Sequence, residues 1–344
     1  MSFWRVIADR LNGQYQRKER VLAPLAKEAI AQALEEEAFG ESGLTDYLEL
    51  WYPFVERMIK PAQLSFYIGS FLARSLHGLT KDETSPPPRL RYEWLKICFA
   101  QDGECFDFGG ARLPFATNES DERLFDILFR EIMLPSLMGE GYPKIESFLC
   151  PDGKYELEGT VEMKRGDAVI DCGANAGFFS ALASSKGCRV LAFEPTVRIR
   201  EKYLNKTAEL NRNIKVCPYA LSDRKETQVF LISSSNLGTS RVFSPDMTPE
   251  SVMEGDSEIV NALTLDEYAD EYALDKVDFI KVDIEGAERK MLEGAAGVLK
   301  RFAPKLAVCI DHHPDDAAIV RELILQARPD YKIIENPRKL FAHI

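Results

Sequence analysis

The sequence has no concentration of positive charge. Residues 1–150 contain 17 Lys and Arg against 23 Asp and Glu, and residues 151–344 contain 26 against 32. Each part therefore contributes −6 to the formal net charge of −12. Proteins that bind nucleic acids depend on clustered cations, which displace counterions from the phosphates. We therefore expect no nucleic-acid partner.

The chain also lacks the cysteine patterns of metal sites and disulfide frameworks. Its seven cysteines are scattered, odd in number and without a C-x-x-C pair, which indicates a reducing compartment. The N-terminus lacks the basic and apolar segments of a signal peptide. The uncharged stretch 61–73 has only 13 residues, too few to span a bilayer. We expect a cytoplasmic protein without a membrane span.

A change of pattern near residue 145 divides the chain. Residues 1–144 predict a mainly helical N-terminal domain that binds substrate or a partner, with a hairpin around 105–113 and a helix at about 121–137. In residues 145–344, short β-rich runs alternate with helical patterns, which predicts an α/β domain with a parallel sheet covered on both faces. The predicted strands are 168–172, 190–193, 215–221, 277–282 and 306–310, followed by a closing antiparallel hairpin.

The run D-C-G-A-N-A-G, residues 171–177, joins the first of these strands to a helix. Gly173 and Gly177 allow the backbone to approach a ligand at the carboxyl edge of the sheet, where open α/β folds bind their ligands. A dinucleotide fingerprint needs glycines two and five residues after the first, and the chain has Asn and Phe there. Asp171 would repel a pyrophosphate but suits a cationic group, such as the amino group of S-adenosylmethionine.

Acidic residues also follow the second and third predicted strands. Glu194 ends the second, where a carboxylate can accept both ribose hydroxyls of an adenosine group. NAD enzymes use the same device, so Glu194 alone does not discriminate. The third strand ends at Leu221. Asp223 follows it, either beside an adenine amino group or as a turn-forming residue.

Residues 277–292 predict a strand followed by a helix and contain several ionisable groups. Asp283 lies at the carboxyl end of the strand, whereas Lys281 lies inside it and needs an acidic partner. We predict that Gly286 belongs to the first turn of the helix and that Glu288 complements the helix dipole.

His312 follows the fifth predicted strand. With Asp283 and Glu285 at the neighbouring strand end, it could complete a carboxylate–imidazole pair for proton abstraction, or it could be a hydrogen-bonded loop histidine. The same groups could hold a divalent metal. One histidine with hard carboxylates makes a poor zinc site, however, and we expect no metal.

Five motifs in this order resemble the FkbM-type S-adenosylmethionine-dependent methyltransferases over about residues 145–344: D-C-G-A-N-A-G-F-F-S, A-F-E-P, A-L-S-D, F-I-K-V-D-I-E-G-A-E and H-x-P-D-D. The resemblance implies a Rossmann-like class I methyltransferase fold. Its seven-stranded sheet would have the order 3-2-1-4-5-7-6, with strand 7 antiparallel. It also implies methyl transfer to a hydroxyl oxygen of a sugar, glycan or secondary metabolite.

The resemblance further implies roles for residues in each motif. Those that would contact the methionine part of the cofactor are Asp171, Gly173, Ala174, Asn175 and Gly177. Glu194 would bind the ribose, and Leu221 and Asp223 would lie on the adenine side. Asp283, Glu285 and His312 would face the transferred methyl group. We expect His312 to be the general base, oriented by Asp283 or Glu285. The alternative is Asp283 as base, with His312 positioning the acceptor.

Two other functions remain open at this point: a nicotinamide-dependent oxidoreductase and a cofactor-binding scaffold without turnover. The missing glycines and Asp171 argue against the first, and the retained catalytic candidates argue against the second. Residues 233–243 could form an acceptor-binding loop or a solvated surface loop.

Overall fold

The computed structural model describes residues 100–101, 105–133, 155–233, 241–242 and 255–344. Most of the predicted helical domain, and the predicted boundary near residue 145, lie outside these ranges and stay predictions. The described residues fall into two compact units: one contains residues 100–101, 105–106 and 116–126, and the other contains the described residues of 107–115 and 127–344.

The first described elements are short. In one unit, strand β1 (Ala100–Gln101) pairs antiparallel with the start of β2 (Cys105–Phe108). β2 turns at Gly109 and Gly110, both with positive φ, into β3 (Ala111–Pro114), which confirms the predicted hairpin. The helix predicted at about 121–137 begins earlier, as α1 (Glu119–Leu128). It continues as a π-helical turn, Phe129–Met133, and the residues that follow lie outside the described ranges.

The remaining elements alternate along the chain. The strands are β4 (Ala168–Cys172), β5 (Arg189–Phe193), β6 (Ile214–Cys217), β7 (Ala220–Leu221), β8 (Glu226–Ser233), β9 (Arg241–Val242), β10 (Gly255–Leu263), β11 (Phe279–Val282), β12 (Lys305–Cys309), β13 (Lys332–Glu335) and β14 (Lys339–His343). The helices are α2 (Phe178–Ser185), α3 (Val197–Ile199), α4 (Asn205–Leu210), α5 (Leu265–Glu271), α6 (Glu288–Glu293), α7 (Ala296–Phe302) and α8 (Asp316–Ala327), with a π-helical segment, Arg200–Leu204, between α3 and α4. None of these helices has the length and apolar character needed to cross a membrane.

Seven strands form the central sheet, in the order β13-β14-β12-β11-β4-β5-β6. The strands β4, β5, β6, β11 and β12 run parallel, and β14 is antiparallel to both of its neighbours. When only the seven strands of this sheet are numbered along the chain, with β4 as strand 1, and the sheet is read from β6, the order is 3-2-1-4-5-7-6 with strand 7 antiparallel. The predicted class I methyltransferase fold is therefore confirmed. Buried apolar residues on the strands, together with those on α5, α6, α7 and α8, form the core.

The predicted third strand, 215–221, is divided in the structure. β6 ends at Cys217 in the central sheet, because Pro218 has no N–H with which to continue the ladder. β7 pairs instead with β10 in a second sheet of order β7-β10-β8-β9. Most of the predicted acceptor loop, 234–240 and 243, lies outside the described residues.

A buried ion pair joins the two central strands. Lys281 on β11 lies opposite Asp171 on β4, and its Nζ is 3.2 Å from Asp171 Oδ1. The ammonium also donates to the carbonyl oxygens of Cys172, at 3.2 Å, and Gly173, at 2.9 Å, while Ser180 Oγ donates to Asp171 Oδ2 at 2.7 Å. Burial lowers the pKa of Lys281, but the charges of Asp171 and its neighbours raise it above its usual range. The expected acidic partner of Lys281 is therefore Asp171.

Gly173 allows the ends of β4 and β11 to come together. Its φ is +78°, and a Cβ at this position would overlap the carbonyl oxygen of Asp283. Gly177 is similar: its φ is +89°, and an added Cβ would lie 2.7 Å from Thr207 Cγ2 on α4. In the described structure both glycines permit close approach between chain segments.

Replacing Gly173 by alanine adds this overlap to the strain of a positive φ. We expect the free energy of unfolding to fall by about 3 kcal/mol or more, measured by denaturant titration. Gly159→Ala is the matched control, because Gly159 has a φ of +72° with no atom within 4 Å of an added Cβ. It should lose only about 1–2 kcal/mol, and equal losses for the two variants would contradict the steric explanation.

Replacing Lys281 by methionine leaves Asp171 buried without its cation. We expect a loss of about 3–5 kcal/mol in the free energy of unfolding, again measured by denaturant titration. Adding Asp171→Asn to this variant removes the uncompensated charge, so the double variant should be more stable than Lys281→Met alone. A double variant that loses the sum of the two single losses would disprove the charge argument.

Candidate active site at the carboxyl edge of the sheet

The turn after β4 forms one wall of the carboxyl edge. The amides of Gly173 and Ala174 donate to the carbonyl oxygen of Phe193 at 3.1 and 2.9 Å, which ties the turn to the end of β5. Asn175 has a φ of +50°, uncommon for a residue with a side chain. Its side-chain oxygen accepts a hydrogen bond from the amide of Ala176 at 2.7 Å.

Glu194 lies just after β5 and joins this turn to the following segment. One carboxylate oxygen accepts from the amide of Asn175 at 3.1 Å, and the other accepts from the amide and hydroxyl of Thr196 at 2.9 and 2.7 Å. Burial raises the pKa of Glu194, although these hydrogen bonds favour the ionised form. The structure therefore brings Glu194 to the predicted turn, and its contact with a ribose stays a prediction.

The other predicted cofactor residues differ in their surroundings. Asp171 is fully buried and bonded to Lys281 and Ser180, so its carboxylate holds the start of the turn; direct contact with a cofactor stays a prediction. Leu221 belongs to the second sheet instead of the central one. Asp223 accepts a hydrogen bond from the hydroxyl of Ser222 at 3.1 Å and pairs with Arg224 at 3.3 Å; its place beside an adenine group stays a prediction.

The three predicted catalytic residues lie together. Asp283 and Glu285 follow β11, and His312 follows β12, the adjacent parallel strand. One donor atom from each residue lies within 4.8 Å of those of the other two, and His312 Nε2 is 3.7 Å from Glu285 Oε2. All three side chains are partly exposed at the edge of the sheet. The predicted grouping of these residues is confirmed.

The chain between β11 and α6 is a tight loop, so the prediction that Gly286 lies in the first turn of a helix was wrong. Glu285 and Gly286 have φ values of +55° and +98°, and the helix begins only at Glu288. A right-handed helix cannot contain two consecutive left-handed residues. Glu285 and Asn175 are therefore non-glycine residues with positive φ on the loops that follow two adjacent strands. Such strain is common at functional sites.

Glu288 is a site residue that the sequence did not identify. Its side chain is buried; Oε1 accepts from the amide of Ile284 at 2.9 Å and lies 3.2 Å from His312 Nδ1. The expectation that Asp283 or Glu285 orients the imidazole is therefore incomplete, because Glu288 faces Nδ1 and leaves Nε2 on the side of Glu285. Glu288 lies four residues after Ile284, a spacing that allows its side chain to reach back to the backbone at the end of β11. This spacing is the sequence signal that could have identified Glu288.

Tyr155 is the second site residue missed from the sequence. Its hydroxyl donates to Asp283 Oδ2 at 2.5 Å, although 128 residues separate the two. The buried ring has the ammonium of Lys339 at 4.4 Å and that of Lys281 at 5.5 Å from its centroid. No local sequence pattern predicts this contact, because Tyr155 lies before β4 and far along the chain from Asp283.

The surroundings separate the pKa values of the three clustered groups. Burial raises the pKa of Asp283, but Lys281 and the Tyr155 hydrogen bond lower it below its usual value. Burial and the charge of Asp283 raise the pKa of Glu285 to about 7. Burial lowers the pKa of His312, but Glu288 and the other carboxylates raise it to about 9. The cluster therefore combines an ionised carboxylate, a carboxyl that titrates near neutrality and an imidazolium.

A family model described as "Methyltransferase FkbM domain" matches residues 171–332. This match covers the glycine turn, Glu194 and the whole Asp283, Glu285 and His312 cluster. A comparison with curated proteins finds no significant match.

Several solved structures are similar. One, described as methyltransferase FkbM from Methylobacillus flagellatus KT, is 16% identical with a TM-score of 0.40; the match covers 86% of this chain and 58% of that one, so this chain spans less than two thirds of that protein's length. Another, fibrillarin from Aeropyrum pernix with bound S-adenosyl-L-methionine, is 11% identical with a TM-score of 0.33 and coverages of 53% and 68%. These likenesses are too weak to carry the assignment, which rests on the family match and the strand order.

The strand order, the motifs at the carboxyl edge and the family match agree with one another. Residues 171–332 match the FkbM methyltransferase domain, and the central sheet has the strand order of a class I methyltransferase.

Proposed function

We propose that this domain transfers the methyl group of S-adenosylmethionine to a hydroxyl oxygen of a sugar, glycan or secondary-metabolite acceptor. The observation that carries the proposal is the cluster of Asp283, Glu285 and His312. Two of these residues follow β11, which is adjacent to β4 and its glycine turn, and His312 follows β12, the next strand along the sheet. Open α/β sheets bind their ligands at this edge. A cofactor on the turn would therefore lie beside groups that can accept a proton.

The proposed cofactor site extends along the edge from β11 to β5. The turn residues Gly173, Ala174, Asn175 and Gly177 would border the methionine part, and Glu194 would accept the ribose hydroxyls. Glu194 is already fixed by the amides of Asn175 and Thr196, which supports this role because a preorganised acceptor loses little entropy on binding. Leu221 and Asp223 would lie on the adenine side.

The reaction needs little from the protein besides alignment and removal of one proton. The acceptor oxygen attacks the methyl carbon in line with the sulfur, the C–O bond forms as the C–S bond breaks, and the electron pair goes to sulfur, giving S-adenosylhomocysteine. The hydroxyl proton leaves to the cluster. Two assignments remain open. His312 can accept the proton through Nε2, with Glu288 beside Nδ1, only in its neutral form, and its pKa of about 9 makes that the minor form near pH 7. The alternative is Asp283, whose pKa is lowered, as base, with His312 positioning the acceptor.

The two alternative functions, a nicotinamide-dependent oxidoreductase and a scaffold without turnover, have less support than methyl transfer. A nicotinamide-dependent oxidoreductase is no longer a candidate, because the matched family is a methyltransferase family. A scaffold that binds cofactor without turnover would not need the acid–imidazole cluster. Cytoplasmic location and the absence of a nucleic-acid partner stay proposals that rest on composition.

Cofactor identity is tested by calorimetry and thermal unfolding. We expect S-adenosylmethionine and S-adenosylhomocysteine to raise the unfolding temperature, and NAD(H) to have no effect. Glu194→Gln should weaken S-adenosylmethionine binding roughly 10- to 100-fold, because hydrogen bonds to a charged group are lost. Glu209→Gln, at an exposed glutamate paired with Lys206, is the control and should bind normally. Stabilisation by NAD(H) alone would overturn the proposal.

Methyl transfer is tested with radiolabelled S-adenosylmethionine and a panel of hydroxylated glycans, glycolipid precursors and polyketides. A product 14 mass units heavier that contains a methyl ether is expected for at least one acceptor. His312→Gln should reduce the rate by roughly 10²–10⁴-fold, with cofactor affinity nearly unchanged. His343→Gln on β14 is the control. Full turnover by His312→Gln would exclude His312 from the reaction.

A further inference from the structure

We infer that Asp283, Glu285 and His312 form a binding site for one divalent cation of the Mg²⁺ or Mn²⁺ type, to which the acceptor hydroxyl would be a further ligand. The inference rests on the proposed function, since the hydroxyl is what would complete the coordination. Two carboxylates and one imidazole supply the donor atoms, all within 4.8 Å of one another. This cluster is the one group of such donors within the described residues.

The spacing is close to that of an octahedral ion but not equal to it. Metal–ligand bonds of about 2.1 Å place neighbouring ligands about 3 Å apart and opposite ligands about 4.2 Å apart. The 3.7 Å between His312 Nε2 and Glu285 Oε2 falls between these two values, so the side chains would have to move by a few tenths of an ångström to bind an ion. The expectation of no metal came from the weakness of this donor set for zinc. That argument does not extend to Mg²⁺ or Mn²⁺, which prefer carboxylate oxygens.

The arrangement around the cluster is that of metal ligands. Buried Glu288 lies 3.2 Å from His312 Nδ1, close to the ring nitrogen although the two atoms do not have hydrogen-bond geometry, and leaves Nε2 for the cluster. The Tyr155 hydroxyl holds Asp283 through Oδ2 at 2.5 Å and leaves Oδ1 available. Metal-ligating histidines and carboxylates are regularly fixed in this way by outer partners, which set the orientation of the ring and of the carboxylate.

The charges of the region also point to a cation. Asp283, Glu285 and Glu288 bring three carboxyl groups to one imidazole, and Glu288 Oε2 is a buried oxygen without a hydrogen-bond partner among the described residues. Lys281 pairs directly with Asp171, but its charge and that of Lys339 also act on Asp283. Partly buried carboxylates are stabilised by compensating positive charge, and a divalent ion at the cluster would add to the charge of these lysines.

A cation here would take over part of the task assigned to a base. It would polarise the O–H bond of a coordinated hydroxyl and fix its oxygen relative to the methyl group. His312 would then orient the ion through Nε2, which accounts for the position of Glu288 at the other ring nitrogen.

Mn²⁺ binding to the full chain, stripped of metal with a chelator, tests the site directly. Electron paramagnetic resonance and calorimetry should give one Mn²⁺ per chain, displaced by excess Mg²⁺. Glu285→Gln and Asp283→Asn should each weaken binding at least 10-fold, and Glu288→Gln roughly 10- to 100-fold. Asp315→Asn is the matched control, because Asp315 is an exposed acid that follows β12, as His312 does, and is paired with Arg289; the Mn²⁺ affinity of this variant should not change.

The outcomes separate this inference from the proposed function. No Mn²⁺ binding at millimolar concentration, or unchanged binding in both Glu285→Gln and Asp283→Asn, would overturn the cation site. S-adenosylmethionine binding shows that each variant is folded. Methyl transfer that continues at full rate in excess chelator would overturn the inference and leave the proposed function intact. Mn²⁺ binding at the cluster without methyl transfer to any acceptor would support the cation site and count against the proposed function.

Discussion

The ion pair between Lys281 and Asp171 fixes the part of the sheet from which the site is built. Both side chains are almost fully buried, so each charge is stable only beside the other. Because Lys281 also donates to the carbonyl oxygens of Cys172 and Gly173, the pair determines where β4 ends and where the glycine turn begins. The turn, Glu194 and the cluster after β11 all depend on that position.

The cluster shows how neighbouring residues give similar groups different chemistry. Tyr155 and Lys281 keep Asp283 ionised, whereas burial beside that charge raises the pKa of Glu285 to about 7. Glu288 lies beside one nitrogen of His312 and leaves the other facing the edge. The same geometry can remove a proton from an acceptor or hold a cation that polarises it, and both uses place the acceptor oxygen beside the proposed cofactor site.

Patterns along the chain predicted a parallel sheet and the grouping of Asp283, Glu285 and His312, because parallel strands place their carboxyl ends at one edge. The strand order was implied by the family resemblance. The patterns were not enough to identify partners that are distant in sequence. Tyr155 reaches Asp283 across 128 residues, and no period connects them. The helix predicted through Gly286 failed because apolar spacing says nothing about the left-handed backbone at Glu285. The predicted strand 215–221 was also too long, because it ran through Pro218, where the structure ends β6 at Cys217.

The proposed cofactor site lies along the edge formed by the loops after β4, β5 and β11. Hydrogen–deuterium exchange with and without S-adenosylmethionine tests this location. We expect slower exchange in peptides that contain residues 173–177, 194–196 and 283–288, with no change in the C-terminal half of α8. Protection confined to other segments, with unchanged exchange in these three, would contradict it.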